Sequence, residues 1–180
     1  MLKKILMLLC LMAAVTPLLR AQEIPTEVRA GELQVGGGYA GANPDYSEHR
    51  FYGPYLYTTF DFREHIGAEF NFHYLKESND TSGEGLYEKT YEIGPRYVWH
   101  VKQRFNPYLK FLVGRGVFQY PHNSANLAYN LYSFGGGLDV NIKPYLNVRV
   151  LDFEDQKWGS FPPHGLSPFV VSFGAAYRFH

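Results

Sequence analysis

Apolar residues recur at every second position along most of the chain after residue 31. This is the period of a β-strand, whose successive side chains point to opposite faces. The pattern is clearest in residues 169–179, where one face is apolar and the other carries small and polar residues ending in Arg178. Eight such segments lie near residues 32–42, 52–62, 66–75, 91–100, 107–119, 132–140, 145–155 and 169–179. Each is long enough for the roughly 9–11 residues of a tilted membrane-spanning strand.

The connections between the segments alternate in length. Short connections follow the second, fourth and sixth segments, at residues 63–65, 101–106 and 141–144. Longer connections rich in Asn, Asp, Ser, Gly and Pro follow the others, at residues 43–51, 77–86, 120–128 and 156–167. Short turns at one end, long loops at the other and an even number of strands are typical of outer-membrane barrels. The sequence therefore predicts an all-β fold, an eight-stranded antiparallel up-and-down transmembrane β-barrel.

Three positions disturb this pattern. Arg115 and Asp152 fall on the apolar parity of their segments, which a β-bulge or a position above the lipid would explain. Pro95 cannot donate a ladder hydrogen bond. Gly94 beside it predicts a local bulge.

The polar parity of the segments carries four acids and four bases. An eight-stranded lumen is only wide enough for side chains to fill it, and buried charges are tolerated when they are paired. We therefore predict a structural network of charges inside the barrel, formed by Asp61, Glu69, Glu92, Arg96, Lys110, Asp139, Arg149 and Arg178. A soluble, lipocalin-like barrel with these charges outside is the rival interpretation. An exposed aromatic face this continuous would aggregate in water, which favours the membrane barrel.

The first 21 residues differ from the rest of the chain. Lys3 and Lys4 precede an apolar stretch that is shorter than the roughly 20 residues of a membrane-spanning helix. This pattern predicts a cleavable signal peptide at 1–21, a short periplasmic segment at 22–31 and a barrel at 32–180. Without residues 1–21 the chain carries 14 basic and 17 acidic residues, so no basic excess favours nucleic acid. Cys10 is the single cysteine, which excludes a disulfide scaffold.

Two sets of motifs resemble a known family. The strand-ending residues 173–179 look like the C-terminal signature of bacterial outer-membrane proteins, and the segment Gly94–Tyr97 with the glycine triplets at 36–38 and 135–137 is similar to the OmpA/OmpX-like β-barrel domain. The resemblance covers residues 30–180. It implies insertion into the outer membrane of a Gram-negative bacterium. It also implies recognition by the barrel-assembly machinery through a C-terminal signature of Phe173, Tyr177 and Phe179.

No residue pattern predicts catalysis, a cofactor or a metal. The seven histidines show no metal-ligand spacing along the chain, and we interpret His73 and His100 as members of the polar lumen. The last long loop holds Asp155, Ser160, His164 and Ser167, but a catalytic triad is defined by geometry rather than composition. We therefore expect a protein that is not an enzyme.

The leading functional hypothesis is a monomeric barrel that contacts outer-membrane lipid and serves envelope integrity or displays loops. Exposed aromatic residues predicted near the loops, Tyr46, Tyr87, Tyr120 and Trp158, leave open an adhesin or receptor that binds an unidentified extracellular partner. A small porin-like channel is the third hypothesis, if the lumen leaves a path for water.

Overall fold

The computed structural model describes residues 31–44, 50–78, 86–101, 104–119, 127–159 and 165–179. The expected signal peptide and most of the 22–31 segment lie outside these residues, as do Tyr46, Tyr120, Ser160, His164 and His180. The strands are β1 (Glu32–Asn43), β2 (Phe51–Asp61), β3 (Ile66–Glu77), β4 (Tyr87–Val98), β5 (Phe105–Gln119), β6 (Leu127–Lys143), β7 (Leu146–Lys157) and β8 (Phe169–Phe179).

Each strand pairs antiparallel with the next, and β8 pairs with β1 to close a barrel. Leu33 lies opposite Phe179, and Asn43 lies opposite Phe169, so the closing pair is joined along its whole length. The predicted eight-stranded meander is confirmed. The strands β4 and β6 begin four to five residues earlier than the alternation predicted, because their ladders continue toward the long connections.

Among the described residues, no helix is long and apolar enough to cross a membrane.

The two ends of the barrel differ. The short connections, at 62–65, 99–104 and 144–145, lie at the end where β1 begins and β8 finishes; we call this the turn end. The four long connections lie at the opposite end, which we call the loop end. This arrangement follows from the meander, in which alternate connections must lie at the same end.

A bulge in β7 changes which side chains face the lumen. Arg149 pairs with Gly174, whereas Asp152 pairs with Ser172, so one extra residue is inserted between them. Val150 and Leu151 are consequently both exposed on the outer wall, and Asp152 is buried in the lumen. This is the irregularity that Asp152 indicated.

The expected bulge at Gly94 is not present. The register of β4 against β5 is the same on both sides of this position, from Ile93 opposite Val113 to Arg96 opposite Lys110. Pro95 faces outward and stays in register with Ala68 of β3. The missing N–H therefore interrupts the ladder without inserting a residue.

Candidate functional site

The lumen is filled at two levels, and charged side chains fill its middle. Most of these side chains sit on the inward parity of their strands, and the β7 bulge adds two acids. We call the following buried residues the central charge network: Glu69, Arg96, Lys110, Asp139, Arg149, Asp152 and Glu154.

Arg149 holds the centre of this network. Its two terminal nitrogens lie 2.9 and 3.0 Å from the two carboxylate oxygens of Glu69, and its Nε lies 2.9 Å from Oδ1 of Asp139. The guanidinium carbon also lies 3.9 Å from the ring centre of Tyr57 and 4.7 Å from that of Tyr108. The paired hydrogen bonds and the aromatic faces fix the side chain in one orientation.

The other two buried bases also join several acids. Nζ of Lys110 lies 2.6 Å from Asp152, 2.6 Å from Glu154 and 2.9 Å from Glu69, which uses all three ammonium donors. Arg96 contacts Glu69 at 3.1 Å and Asp139 at 3.3 Å. Each base bridges at least two acids, so the charges form one connected cluster.

Two predicted members lie near the turn end instead of the middle. Asp61 lies 3.7 Å from Nε of Arg96, beside the network on the side of the turn end. Arg178 is separate: it contacts Glu32 at 2.6 Å and donates to Asn141 at 2.7 Å. Its position near the end of β8 places it at the rim of the lumen.

Glu92 also lies in the lumen, but its hydrogen-bond partners are neutral. Its two carboxylate oxygens accept hydrogen bonds from Ser133 at 2.6 Å and Gln156 at 2.8 Å. Nδ1 of His73 lies 3.9 Å away. His100, the other histidine assigned to the lumen, is instead exposed at the turn end, where it contacts Asn106 and the carbonyl of Glu64.

Sequence reasoning did not assign Asp152, Glu154 or Gln156 to the network. All three are fully buried, because the bulge between Arg149 and Asp152 reverses the parity of β7. The signal was the adjacent apolar pair Val150–Leu151 followed by polar residues at alternate positions.

An apolar layer closes the lumen at the loop end. We call it the apolar cap; it consists of Ala42, Phe51, Leu75, Phe118, Leu131, Trp158, Leu166 and Val170. Every member is at most 4 % exposed. The alternation alone did not indicate this layer, because its members occupy the parity that is polar elsewhere in the lumen.

Trp158 is the largest side chain in the cap, and its predicted exposure in a loop is wrong. Backbone hydrogen bonds of 2.8 and 3.3 Å pair it with Leu166, and its indole N–H donates to Oε1 of Gln156 at 3.1 Å. Gly116 makes room for the ring, because a Cβ at this position would collide with the indole. The pairing extends the β7–β8 hairpin past Lys157 and turns the indole inward.

Comparisons with known proteins identify the fold. No protein-family model and no curated protein matches the chain. Among solved structures, it is similar to neisserial surface protein A (TM-score 0.67, 11 % identity, covering 83 % of this chain and 97 % of that one). It is also similar to the outer-membrane protein OprG of Pseudomonas aeruginosa (0.60, 14 %, 84 % and 97 %) and to Ail, the attachment invasion locus protein of Yersinia pestis (0.55, 19 %, 83 % and 99 %). The chain therefore has the fold of the eight-stranded outer-membrane β-barrels.

Proposed function

We propose that the chain is an integral outer-membrane barrel with a filled lumen. Side chains inside the lumen stabilise the barrel wall, and the barrel supports the envelope and holds the long loops at the cell surface. The observation that carries this proposal is the inverted polarity of the wall. Ser133 is 1 % exposed inside the lumen, whereas the next residue, Phe134, is 56 % exposed outside. The same contrast separates Glu92 from Ile93, which is 58 % exposed.

A bilayer explains this inversion better than water does. Continuous exposed apolar surface on a soluble protein leads to association, whereas a lipid-facing band requires it. Aromatic side chains also gather at the turn end of the outer wall, where Tyr97 packs on Trp99 at 4.8 Å between ring centres and Tyr177 packs on Phe179 at 4.9 Å. Such rings are typical of the membrane interface.

The filled lumen favours a structural role over a channel. The central charge network occupies the middle of the barrel, and the apolar cap closes the loop end. A continuous water path would require both layers to open, and each opening would expose apolar side chains or separate ion pairs.

Fractionation of cells that express the full chain tests this proposal. We expect the protein in the outer membrane, with a faster electrophoretic mobility before boiling than after it, because the folded barrel is compact. Phe134→Arg should reduce insertion, since a lipid-facing Arg costs about 2–4 kcal/mol at the bilayer midplane. Phe134→Leu is the matched control. A soluble periplasmic protein, insensitive to Phe134→Arg, would point to the soluble barrel.

Adhesion through the loops is the second candidate function. It is favoured by the grouping of all four long connections at one end and by the similarity of the fold to Ail, the attachment invasion locus protein of Yersinia pestis. Short Gly-Ser linkers in place of residues 79–85 and 160–164 would leave the Trp158–Leu166 pairing intact. An adhesin should lose binding to cultured cells while the barrel still inserts. Unchanged binding would leave the structural role as the better explanation.

A further inference from the structure

Three side chains that can ligate a metal meet inside the lumen, on the side of the central charge network that faces the apolar cap, and one of them, Glu154, also belongs to the network. His73 comes from β3, Glu92 from β4 and Glu154 from β7. One ligand atom from each side chain lies within 4.8 Å of the ligand atoms of the other two. All three residues are at most 1 % exposed. We call them the His–Glu–Glu cluster.

The charges around this cluster do not balance. The buried acids of the described lumen are Glu69, Glu88, Glu92, Asp139, Asp152 and Glu154, whereas the buried bases are Arg96, Lys110 and Arg149. Lys110 reaches Glu154, but it is already shared with two other acids. No lysine or arginine of the described chain makes an ion pair with Glu92. An unpaired buried carboxylate is costly, so Glu92 is neutralised either by a proton or by a cation. One divalent cation would satisfy Glu92 and Glu154 together.

Unpartnered polar atoms mark the same place. Nε2 of His73 and Oδ1 of Asn71 are buried without a hydrogen-bond partner in the described parts of the chain. Nδ1 of His73 lies 3.0 Å from Oγ1 of Thr90 and 3.9 Å from Oε1 of Glu92. Asn71 adjoins the cluster, since its Nδ2 donates to Glu154 at 2.6 Å. Such atoms also occur elsewhere in the described lumen, as on Tyr57 and Asn147. Here they adjoin three converging ligand atoms, which a bound cation would link.

We propose that the His–Glu–Glu cluster binds one divalent first-row transition-metal cation, of which Zn²⁺ is the suitable probe. One imidazole nitrogen and two carboxylate oxygens form a donor set that zinc accepts. Two positive charges would neutralise the surplus on Glu92 and Glu154. Gln156 donates to Glu92 at 2.8 Å and to Glu154 at 3.3 Å, which orients both carboxylates.

The bound cation would be a structural link across the lumen. It would connect β7 to β3 and β4, which are separated from it around the barrel. This role goes beyond the proposed function and does not depend on it, because the three ligands face inward whether the wall meets lipid or water.

Metal retention after folding tests the site. The full chain is folded from urea into detergent micelles at a fixed free Zn²⁺ concentration and passed through gel filtration, and bound zinc is measured by mass spectrometry. We expect the parent to retain zinc at this site and His73→Asn and Glu92→Gln to lower zinc affinity at least tenfold, on the order of the loss seen when a metal site is disturbed. Glu88→Gln is the matched control. This buried glutamate lies four residues before Glu92 on the same face of β4 and outside the cluster. Its variant should therefore retain as much zinc as the parent.

The parent failing to retain zinc would overturn the proposal. Equal retention by the parent, His73→Asn and Glu92→Gln would overturn it too, because histidines elsewhere in the chain would then hold the metal. Glu92→Gln preserves the shape of the side chain and removes one buried negative charge, so we expect this variant to fold. Heat-dependent gel mobility checks that it does. Zinc should also raise the Tm of the parent and of Glu88→Gln but not that of Glu92→Gln.

Discussion

The central charge network and the apolar cap fill one lumen in two different ways. In the network each base contacts at least two acids, as Arg149 does with Glu69 and Asp139. In the cap, Trp158 and Phe118 are buried among other apolar side chains. Losing a network member leaves an opposite charge buried without a partner, whereas losing a cap member leaves a cavity. The polar filling therefore depends on complete pairing, and the apolar filling depends on volume.

The largest effect should come from breaking the network at its centre. Arg149→Met leaves Glu69 and Asp139 with fewer cations, and we expect the free energy of unfolding to fall by about 3–5 kcal/mol, toward the upper end. Urea unfolding in micelles measures it. Arg178→Met, at the partly exposed rim, is the control and should lose about 1 kcal/mol or less. Equal losses for the two variants would contradict the central position of Arg149.

A somewhat smaller loss should follow from opening the cap. Trp158→Ala removes a fully buried ring, and we expect a loss of about 3–4 kcal/mol, since the neighbouring rim residues can partly collapse into the cavity. Planar-bilayer recording should still show no steady conductance, because the charge network remains below the cap. Trp99→Ala, at the exposed outer wall, is the control with a smaller loss. Conductance in the Trp158 variant would show that the cap alone seals the lumen.

The same substitution, Glu to Gln, should change the free energy of unfolding in opposite directions in the two layers. Glu88 lies between Leu75 and Phe118 in the ladders of the cap, and neither of its carboxylate oxygens has a hydrogen-bond partner among the described residues. Glu88→Gln removes the charge of this buried carboxyl group and should therefore stabilise the barrel by about 1–2 kcal/mol. Glu69→Gln, which weakens contacts to three bases, should destabilise it by a similar amount. Urea midpoints that shift in the same direction would contradict the distinction between the layers.

The smallest effect should lie outside both layers. Lys157 and Asp155 form an ion pair of 3.0 Å on the exposed wall, with side chains 40 % and 52 % exposed. Exposed pairs contribute little, so Lys157→Met should change the free energy of unfolding by no more than about 0.5 kcal/mol. A loss of several kcal/mol in the same urea titration would show that stability is not concentrated in the lumen.

The sequence predicted the features that depend on neighbouring residues. The alternation in residues 169–179 indicated both faces of β8, because each side chain's direction follows from the strand period. It failed at β7, where one inserted residue between Arg149 and Asp152 reverses the parity. It also failed at Trp158, whose inward position depends on pairing with Leu166 beyond the predicted strand end.

Features that depend on distant residues were beyond the pattern. The spacing of His73, Glu92 and Glu154 along the chain shows no metal motif, and only the closure of the barrel brings β7 near β3 and β4. The cap was missed for a related reason. Parity distinguishes inside from outside, but it does not tell a polar interior from an apolar one.

Depth-dependent fluorescence quenching tests the inverted polarity of the wall most directly. With Cys10 replaced by serine, the chain offers single-cysteine sites for a bimane label at Phe134→Cys, on the outer wall, and at Gly159→Cys, an exposed position at the loop end with open space around its Cβ. In nanodiscs containing lipids with nitroxides deep in their acyl chains, the label at position 134 should be strongly quenched and the label at position 159 should be weakly quenched. Quenching at 134 no stronger than at 159 would mean that the aromatic face does not meet hydrocarbon.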